Sequence, residues 1–232
     1  MKKLNVIGLV VLALLSACME EDPGPRQQDK RSFAEVDFDQ IEAEDALIVN
    51  IEYAENFSIE AEGDRRNLDD LLIYKNGNSL RVRFRTYEKR QYSTYVTITL
   101  PELTGVNFSG ASQGKIVGFD PAVRFDITLS GASFVQVNRD MAEVYLNVSG
   151  ASHLRLVGHG ELVQGTISGA SELSAFDFST RHAKLTVTGA SSSKVNVSNQ
   201  LDVSVSGASV VLYRGEPELI VESSGSSVVR KD

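Results

Sequence analysis

The sequence lacks most of the residues on which common metal and redox sites depend. It has one cysteine, no tryptophan and three histidines. A single cysteine rules out an intramolecular disulfide, so the chain depends on a packed core for its stability. No His-x-x-x-His spacing, cysteine pair or Gly-Gly-x-Gly-x-Asp calcium loop occurs. We therefore expect neither a metal nor a cofactor.

Signals for catalysis are missing as well. No Gly-x-Ser-x-Gly elbow stands between a strand and a helix, and no Gly-rich phosphate loop precedes a helix. His153, His159 and His182 occur among many serines and carboxylates, so a Ser-His-Asp triad is arithmetically available. The serines, however, belong to a repeated phrase, in which we expect them to shape the backbone and not to carry out chemistry. We predict a non-enzymatic protein, with a polysaccharide-active enzyme as an alternative.

The chain also lacks a basic tract and an apolar run long enough to cross a membrane. Its one apolar run, Leu4 to Leu15, follows Lys2 and Lys3 and is typical of a secretory signal. Without those two lysines, 21 basic residues face 31 acidic ones. This acidic balance argues against nucleic acid as a partner.

The phrase Leu15-Ser16-Ala17-Cys18 closes this segment and resembles the lipobox of bacterial lipoproteins. The resemblance implies that residues 1–17 are a lipoprotein signal peptide, that cleavage precedes Cys18, and that acyl chains on Cys18 make the membrane a partner. The alternative is an ordinary signal peptide with an incidental cysteine.

Residues 18–32 are polar, without apolar periodicity, and are predicted to form a flexible tether. The acidic residues Glu20, Glu21 and Asp22 resemble the export signal that Bacteroidetes place behind the lipidated cysteine of surface lipoproteins. This implies an outer-membrane lipoprotein on the cell surface, with the periplasmic face as the alternative.

What the chain has in abundance is one phrase, Ser-Gly-Ala-Ser, which returns with small variations seven times. The glycines at its second position are 18 to 21 residues apart, a period typical of solenoids. These glycines are Gly110, Gly131, Gly150, Gly169, Gly189, Gly207 and Gly225.

Apolar residues alternate on both sides of each phrase, as they do in strands with one buried face. In the third copy, for example, Leu146 and Val148 precede the glycine and Leu154 and Leu156 follow it. Each unit is therefore a strand, a bend and a second strand, and stacked units share one core. We predict an all-β fold, a right-handed parallel β-helix of about seven coils over residues 106–232. The last serine of each phrase should face inward and find a hydroxyl partner in a neighbouring coil.

Residues 33–105 lack the phrase and are predicted to form irregular β coils that cap the solenoid, so that 33–232 is one continuous domain. Asn76-Gly77 is a turn signal between two strand-like runs and predicts a hairpin. The charged connection from Asp64 to Asp70 leaves room for a helical turn.

The hairpin's second arm and the loop behind it carry a cationic and aromatic cluster, which is the first candidate ligand-contact site. Guanidinium groups beside aromatic rings are suited to sugars or anions. The alternative is a solvated strand face paired with acidic neighbours such as Glu42 and Glu44. The cluster comprises Arg81, Arg83, Arg85, Tyr87, Arg90, Tyr92 and Tyr95.

The bends provide the second candidate, a ladder of small residues that would suit a flat partner or a second copy of the chain. A tight bend alone would also select small residues, and the sequence does not say whether Ser or Ala faces outward. The central rungs are Ser130, Ala132, Ser149, Ala151, Ser168, Ala170, Thr188 and Ala190.

From about Phe33 onward the pattern resembles the putative auto-transporter adhesin family with a GIN-type head domain, common among Bacteroidetes lipoproteins. The resemblance rests on the lead-in Thr97 to Leu103, on Phe108 to Ser112, and on the later Ser-Gly-Ala-Ser copies. It implies a β-helical fold and an adhesin or envelope-binding role, with a glycan or a surface protein as partner. A carbohydrate-binding module is a further alternative.

Overall fold

The computed structural model describes residues 24–232. The predicted signal peptide, Cys18 and the first part of the predicted tether lie outside these residues. The described chain is nearly all β, with one short helix, α1 (Arg65–Asp70). The strands are β1 Gln28–Phe33, β2 Gln40–Ala43, β3 Ile48–Tyr53, β4 Ser58–Asp64, β5 Leu71–Asn76, β6 Ser79–Phe84, β7 Tyr95–Leu100, β8 Gly105–Phe108, β9 Gln113–Val117, β10 Ala122–Leu129, β11 Phe134–Asn138, β12 Met141–Val148, β13 His153–Ile167, β14 Glu172–Val187, β15 Ser192–Val205, β16 Val210–Arg214, β17 Glu218–Ser223 and β18 Val228–Lys231.

The repeat forms a β-solenoid, as the sequence predicts. Strands one period apart pair in parallel, so that Val144 lies beside Val163, and Val163 beside Ala183. Each of seven coils contributes one strand before its bend and one after it, and the two arms form two parallel ladders. The long strands β13, β14 and β15 run through the turn opposite the bends and serve two successive coils.

The core lies between the two ladders and is filled by the alternating residues that the sequence singles out. In the third coil Val148, Leu154 and Leu156 are fully buried, and their equivalents Ile167, Leu173 and Ala175 in the fourth are buried too. The intervening residues face solvent. This period-two alternation is the reason the sequence forms strands here.

The last serines of the phrases form a buried column, which confirms the prediction that they face inward. Ser112, Ser133, Ser152, Ser171, Ser191 and Ser209 are at most 2% exposed. The amide of Ser133 donates to Oγ of Ser152 (3.3 Å), and the amide of Ser152 donates to Oγ of Ser171 (3.3 Å). The partner in the neighbouring coil is thus a backbone amide and not the predicted hydroxyl, and the hydroxyl of Ser112 has no hydrogen-bond partner among the described residues.

The N-terminal region adds two more coils, stacked out of chain order. β2 lies between β6 and β8, and β3 lies between β7 and β9. The bend that joins β2 to β3 therefore sits against the first Ser-Gly-Ala-Ser bend, where the amide of Ala46 donates to the carbonyl of Gly110 (2.8 Å). Leu47 is fully buried at the position that a serine occupies in later coils. The hairpin predicted at Asn76-Gly77 is present as β5 and β6.

The helix α1, joining β4 to β5, closes the N-terminal end of the core. Leu68 of the helix is 2% exposed, and Ile73 just beyond it is 7% exposed. Asp64 caps the helix by accepting a hydrogen bond from the amide of Arg66 (3.0 Å).

The tether predicted over residues 18–32 is wrong for its last part. Gln28–Phe33 forms β1, which pairs antiparallel with β4. Its side chains alternate between exposed and half-buried, Phe33 packs against the core, and Lys30 forms an ion pair with Glu60 (2.8 Å). Backbone pairing holds most of β1 in place, and with Phe33 as its one apolar residue the segment shows no apolar periodicity in the sequence. In the described part of the chain, no helix is long and apolar enough to span a membrane.

Candidate functional site

The seven bends form one continuous edge of the solenoid, here called the bend edge. Its outermost residues are the alanines of the phrase, which are exposed, whereas the serine or threonine before the glycine is half-buried in the first six bends and exposed, as Ser224, in the last. The alanines therefore face outward, which the sequence alone leaves open. The exposed residues of the bend edge are Ala111, Ala132, Ala151, Ala170, Ala190, Ala208 and Ser226.

Backbone hydrogen bonds between the bends make the bend edge regular. The amide of Ala151 donates to the carbonyl of Gly131 (2.7 Å), and the amide of Ala170 donates to the carbonyl of Gly150 (2.7 Å). The same bond recurs up to the amide of Ser226. Because successive bends have the same small residues, the bend edge presents a strip without charge and without long side chains. Side chains this small lose almost no rotamer entropy when a partner covers them.

A cleft of about 520 Å³ lies at the N-terminal end of the bend edge. One wall is the bend of the adjacent coil, with Asp45 and Ala46, and the other is the loop that joins β6 to β7. Asp45 holds the two together, because one of its carboxylate oxygens accepts from the amide of Phe84 (3.1 Å). The lining residues are Asp45, Ala46, Phe84, Thr86, Tyr87, Glu88, Lys89 and Arg90.

Arg90 occupies the inner wall of the cleft and is held by several contacts. Its guanidinium lies 3.6 Å from the centroid of the Phe84 ring and forms an ion pair with Asp70. It also donates to the carbonyl of Thr86 (3.0 Å). These contacts leave its side chain 14% exposed. Arg90 therefore organises the loop and places a fixed guanidinium in the wall of the cleft, with its charge balanced by Asp70, whereas Tyr87, 84% exposed, lies at the rim.

Asp70 is the acceptor around which the loop is arranged. Burial raises the pKa of its carboxyl group, but hydrogen bonds from the hydroxyl (2.7 Å) and amide (3.0 Å) of Thr86, together with Arg90, outweigh burial. The pKa of Asp70 is consequently held below its ordinary value, and the group is ionised at neutral pH. These contacts tie the loop between β6 and β7 to the last residue of α1.

The structure does not bring the seven cluster residues together in one site. Arg81 and Arg83 lie on the outer face of β6, across from Tyr74 of β5, away from the lining of the cleft. Arg81 forms an ion pair with Glu42 (3.0 Å), as the alternative interpretation of this strand predicts. Hydrogen bonds from Arg83 and Arg81 lower the pKa of the Tyr74 phenol.

The remaining members of the cluster are spread along the loop and the strand after it. Arg85 is exposed, the hydroxyl of Tyr92 donates to the carbonyl of Gly24 (3.0 Å), and Tyr95 at the start of β7 is 42% exposed. Only Tyr87 and Arg90 of the seven line the cleft. Ligand contact by the other five stays a prediction.

One polar cluster that the sequence does not reveal lies on the outer face of the central coils. Nε2 of His153 is 3.1 Å from Oγ of Ser174, which donates to Glu172 (3.0 Å). The ammonium of Lys194 also donates to Glu172 (2.7 Å) and lowers its pKa. In a triad the carboxylate orients the histidine, whereas here it contacts the serine. These residues belong to successive coils, and the register of the coils brings them together. No local sequence motif therefore predicts the cluster.

Among residues 24–232, no group of three or more His, Cys, Asp or Glu side chains is placed to hold a metal ion. His159 contacts Asp140 (3.2 Å) at the surface, and His182 is exposed on β14. His153 and His159 both lie on β13, and His182 lies on the neighbouring β14.

Comparison with known proteins agrees with this architecture. Residues 37–217 match the model of a family described as "Putative auto-transporter adhesin, head GIN domain". The chain belongs to this family. The match of the GIN-domain family model covers the coils from β2 to β16, so the cleft and the first six bends of the bend edge lie inside it. A search of curated proteins found none that matches the sequence.

Several solved structures share the fold of this GIN-domain chain at low sequence identity. A protein from Bacteroides fragilis described as a putative adhesin is 16% identical, with a TM-score of 0.81 over 90% of this chain and 98% of its own. A putative adhesin from Parabacteroides distasonis is 16% identical, with a TM-score of 0.75 over 90% and 98%. A protein from the same species described as a putative lipid binding protein is 16% identical, with a TM-score of 0.71 over 89% and 97%. At this identity the likeness establishes the β-solenoid fold.

Proposed function

We propose that this protein is a non-enzymatic, lipid-anchored adhesin that binds a surface glycan or a surface protein along its bend edge. The observation that carries the proposal is the bend edge itself, an exposed, uncharged strip of small residues that continues over seven coils. Membership of an adhesin family supports a role at the cell surface. A flat partner can cover such a strip without ordering long side chains, which lowers the cost of binding.

The anchor is proposed from the sequence. Leu15-Ser16-Ala17-Cys18 fits a lipobox, and the acidic residues behind it fit a surface-export signal. We place the protein at the outer membrane, facing the outside of the cell. Substitution of Cys18 by Ala should abolish lipidation, so that the protein leaves the membrane fraction or accumulates as an uncleaved precursor. A C18A variant that fractionates and migrates like the wild type would refute the anchor.

The cleft favours a second candidate, carbohydrate binding by a small module. It combines an exposed tyrosine with a fixed guanidinium, and its volume of about 520 Å³ is within the range of small-ligand sites. Tyrosine rings stack on sugars, and a fixed guanidinium donates to their hydroxyls or to an acidic substituent. The cleft joins the bend edge at its N-terminal end, so one extended glycan would contact both.

A binding screen with matched variants separates the two surfaces. The soluble protein from Gln27 onward is tested against a glycan array and against isolated envelope fractions. Ala151→Arg with Ala170→Arg alters the bend edge alone, and Tyr87→Ala alters the cleft alone. The bend-edge proposal predicts that the double variant loses binding and that Y87A retains it, whereas the carbohydrate-module proposal predicts the reverse. Unchanged binding in both variants would refute both surfaces.

A further inference from the structure

The two ends of the solenoid differ in how their apolar core is covered. At the N-terminal end, α1 closes the core with Leu68. At the C-terminal end, Leu219 and Val221 occupy inward positions in register with Leu201 and Val203 of the coil before. Leu201 and Val203 are at most 1% exposed, whereas Leu219 and Val221 are 42% exposed. The last coil, β17 and β18, therefore leaves apolar core residues open to solvent.

The last coil also ends in two free strand edges. Within residues 24–232, β17 pairs only with β15, and β18 pairs only with β16. The outer edge of each strand presents unpaired N–H and C=O groups, which is a template for another strand. Natural edges are usually interrupted by proline or inward charges, but the middle of β17 is Leu219-Ile220-Val221, and Ile220 and Val228 are each 43% exposed.

We propose that a second copy of this chain docks on the last coil, end to end, through a two-fold axis that lies in the plane of the coil. A two-fold contact uses the same patch on both copies. With the axis parallel to the strands, β17 of each copy pairs antiparallel with β18 of the other. Two new ladders form, and the inward residues of the two last coils close one shared core.

Charge selects this pairing over the alternative in which β17 pairs with itself. The outward residues Glu218, Glu222 and Arg230 make no ion pair within the described part of the chain. In the β17–β18 register that sets Glu218 opposite Arg230 of the second copy, Ile220 comes opposite Val228, and Leu219 opposite Val229. Antiparallel pairing of β17 with itself around Ile220 would instead set Glu218 opposite Glu222 twice, which is unfavourable.

The occupant is another copy because the outward charges of the last coil complement each other: β17 carries Glu218 and Glu222, and β18 carries Arg230. The described chain starts at the opposite end of the solenoid, where the amide of Gln27 donates to Asp64 (2.9 Å). End-to-end pairing therefore points the two chain starts away from each other. The pairing does not depend on the proposed anchor or on the bend edge.

The first test is the oligomeric state of the soluble protein, residues 24–232, by sedimentation velocity over a roughly hundredfold range of concentration. We expect a monomer–dimer equilibrium, and small-angle scattering of the dimer should show a rod of about doubled length. Ile220→Lys with Val228→Lys should give a monomer whose melting temperature equals that of the wild type at concentrations where the wild type is monomeric, because both side chains face outward. Val123→Lys, at a valine that is 81% exposed on β10, is the matched control and should stay dimeric.

The second test is charge reversal across the pairing. Glu218→Arg and Arg230→Glu should each raise the dissociation constant by roughly 3- to 30-fold, because each change acts twice in the dimer. The combined variant should return it to the wild-type value. A wild-type monomer at every concentration, a dimer unaffected by the lysine pair, or a combined variant that stays weak would each overturn the pairing. None of these results bears on binding at the bend edge.

Discussion

A Cβ atom placed on Gly150 would lie 2.4 Å from the carbonyl oxygen of Gly131, one coil earlier. That oxygen already accepts from the amide of Ala151 (2.7 Å), and Gly150 itself has a φ of +76°. Two separate demands, a left-handed backbone and a close approach between coils, therefore fix glycine at the bend. The same two demands recur at Gly169, Gly189, Gly207 and Gly225, which keeps the bend edge narrow along these coils.

The two demands can be separated by matched substitutions. Gly77, at the tip of the β5–β6 hairpin, has a φ of +62°, but a Cβ atom added there would meet no atom within 4 Å. Gly77→Ala should cost about 1 kcal/mol of unfolding free energy from backbone strain alone. Gly150→Ala adds the clash and should cost about 2–4 kcal/mol. Denaturant titration of the two variants measures the difference, and equal costs would contradict close stacking of the bends.

Asp64 should make the stability of the N-terminal cap depend on pH. Hydrogen bonds from the Arg66 side chain lower the pKa of Asp64, whereas burial raises it. Further hydrogen bonds from the amides of Gln27 and Arg66 help to hold the pKa of Asp64 well below its ordinary value. Since the pKa is lower in the folded state, the ionised group stabilises the fold above the ordinary value of 3.8, and this stability is lost as the pH falls below it.

Asp64→Asn should therefore be less stable than the wild type at neutral pH and should lose less stability between about pH 5 and about pH 2. Melting temperatures across this range measure the effect. Asp177→Asn is the control, because Asp177 is exposed and pairs with Arg155 at the surface. A wild-type acid profile in the Asp64 variant would show that this carboxylate is not coupled to folding.

Arg90 should stabilise the loop that walls the cleft. Arg90→Ala removes the contact with Phe84 and leaves Asp70 without its cation, so we expect a loss of about 1–3 kcal/mol of stability. Amide hydrogen exchange in residues 85–94 should also become faster. Arg85→Ala, at an exposed arginine of the same loop, should change stability by less than about 0.5 kcal/mol. Similar exchange rates in both variants would contradict the role of Arg90.

The repeat can be predicted from sequence because one period carries both the turn chemistry and the apolar alternation. The orientation of Ser149 and Ala151 cannot, because a bend interrupts the alternation and the backbone decides which residue points outward. β1 is not predicted because Phe33 is its one apolar residue, so the segment shows no apolar alternation. The coil that contains Leu47 is equally hard to recognise, since Glu44 to Leu47 shares no residue type with Ser-Gly-Ala-Ser except its alanine.

The candidate sites are less predictable, since they depend on coils that are distant in sequence. The cleft needs Asp45 of one coil and Arg90 of another, and only the insertion of β2 and β3 between later strands brings them together. Proximity in sequence groups Arg81 with Arg90, but the loop turns Arg90 inward over Phe84. The solvent exposure of the last coil cannot be predicted from the sequence either, because Leu219 and Val221 fit the inward pattern of every earlier coil.

The most direct test of the central claim is attachment by cells that display the protein. Cells carrying the wild type are compared with cells carrying Ala151→Arg and Ala170→Arg, at matched surface amounts and with the melting temperature of each purified protein recorded. If the bend edge is the binding surface, attachment to the glycan or cell partner should fall to the level of cells without the protein, while stability stays unchanged. Attachment equal to that of the wild type, by a stable double variant, would contradict the claim that this protein binds through its bend edge.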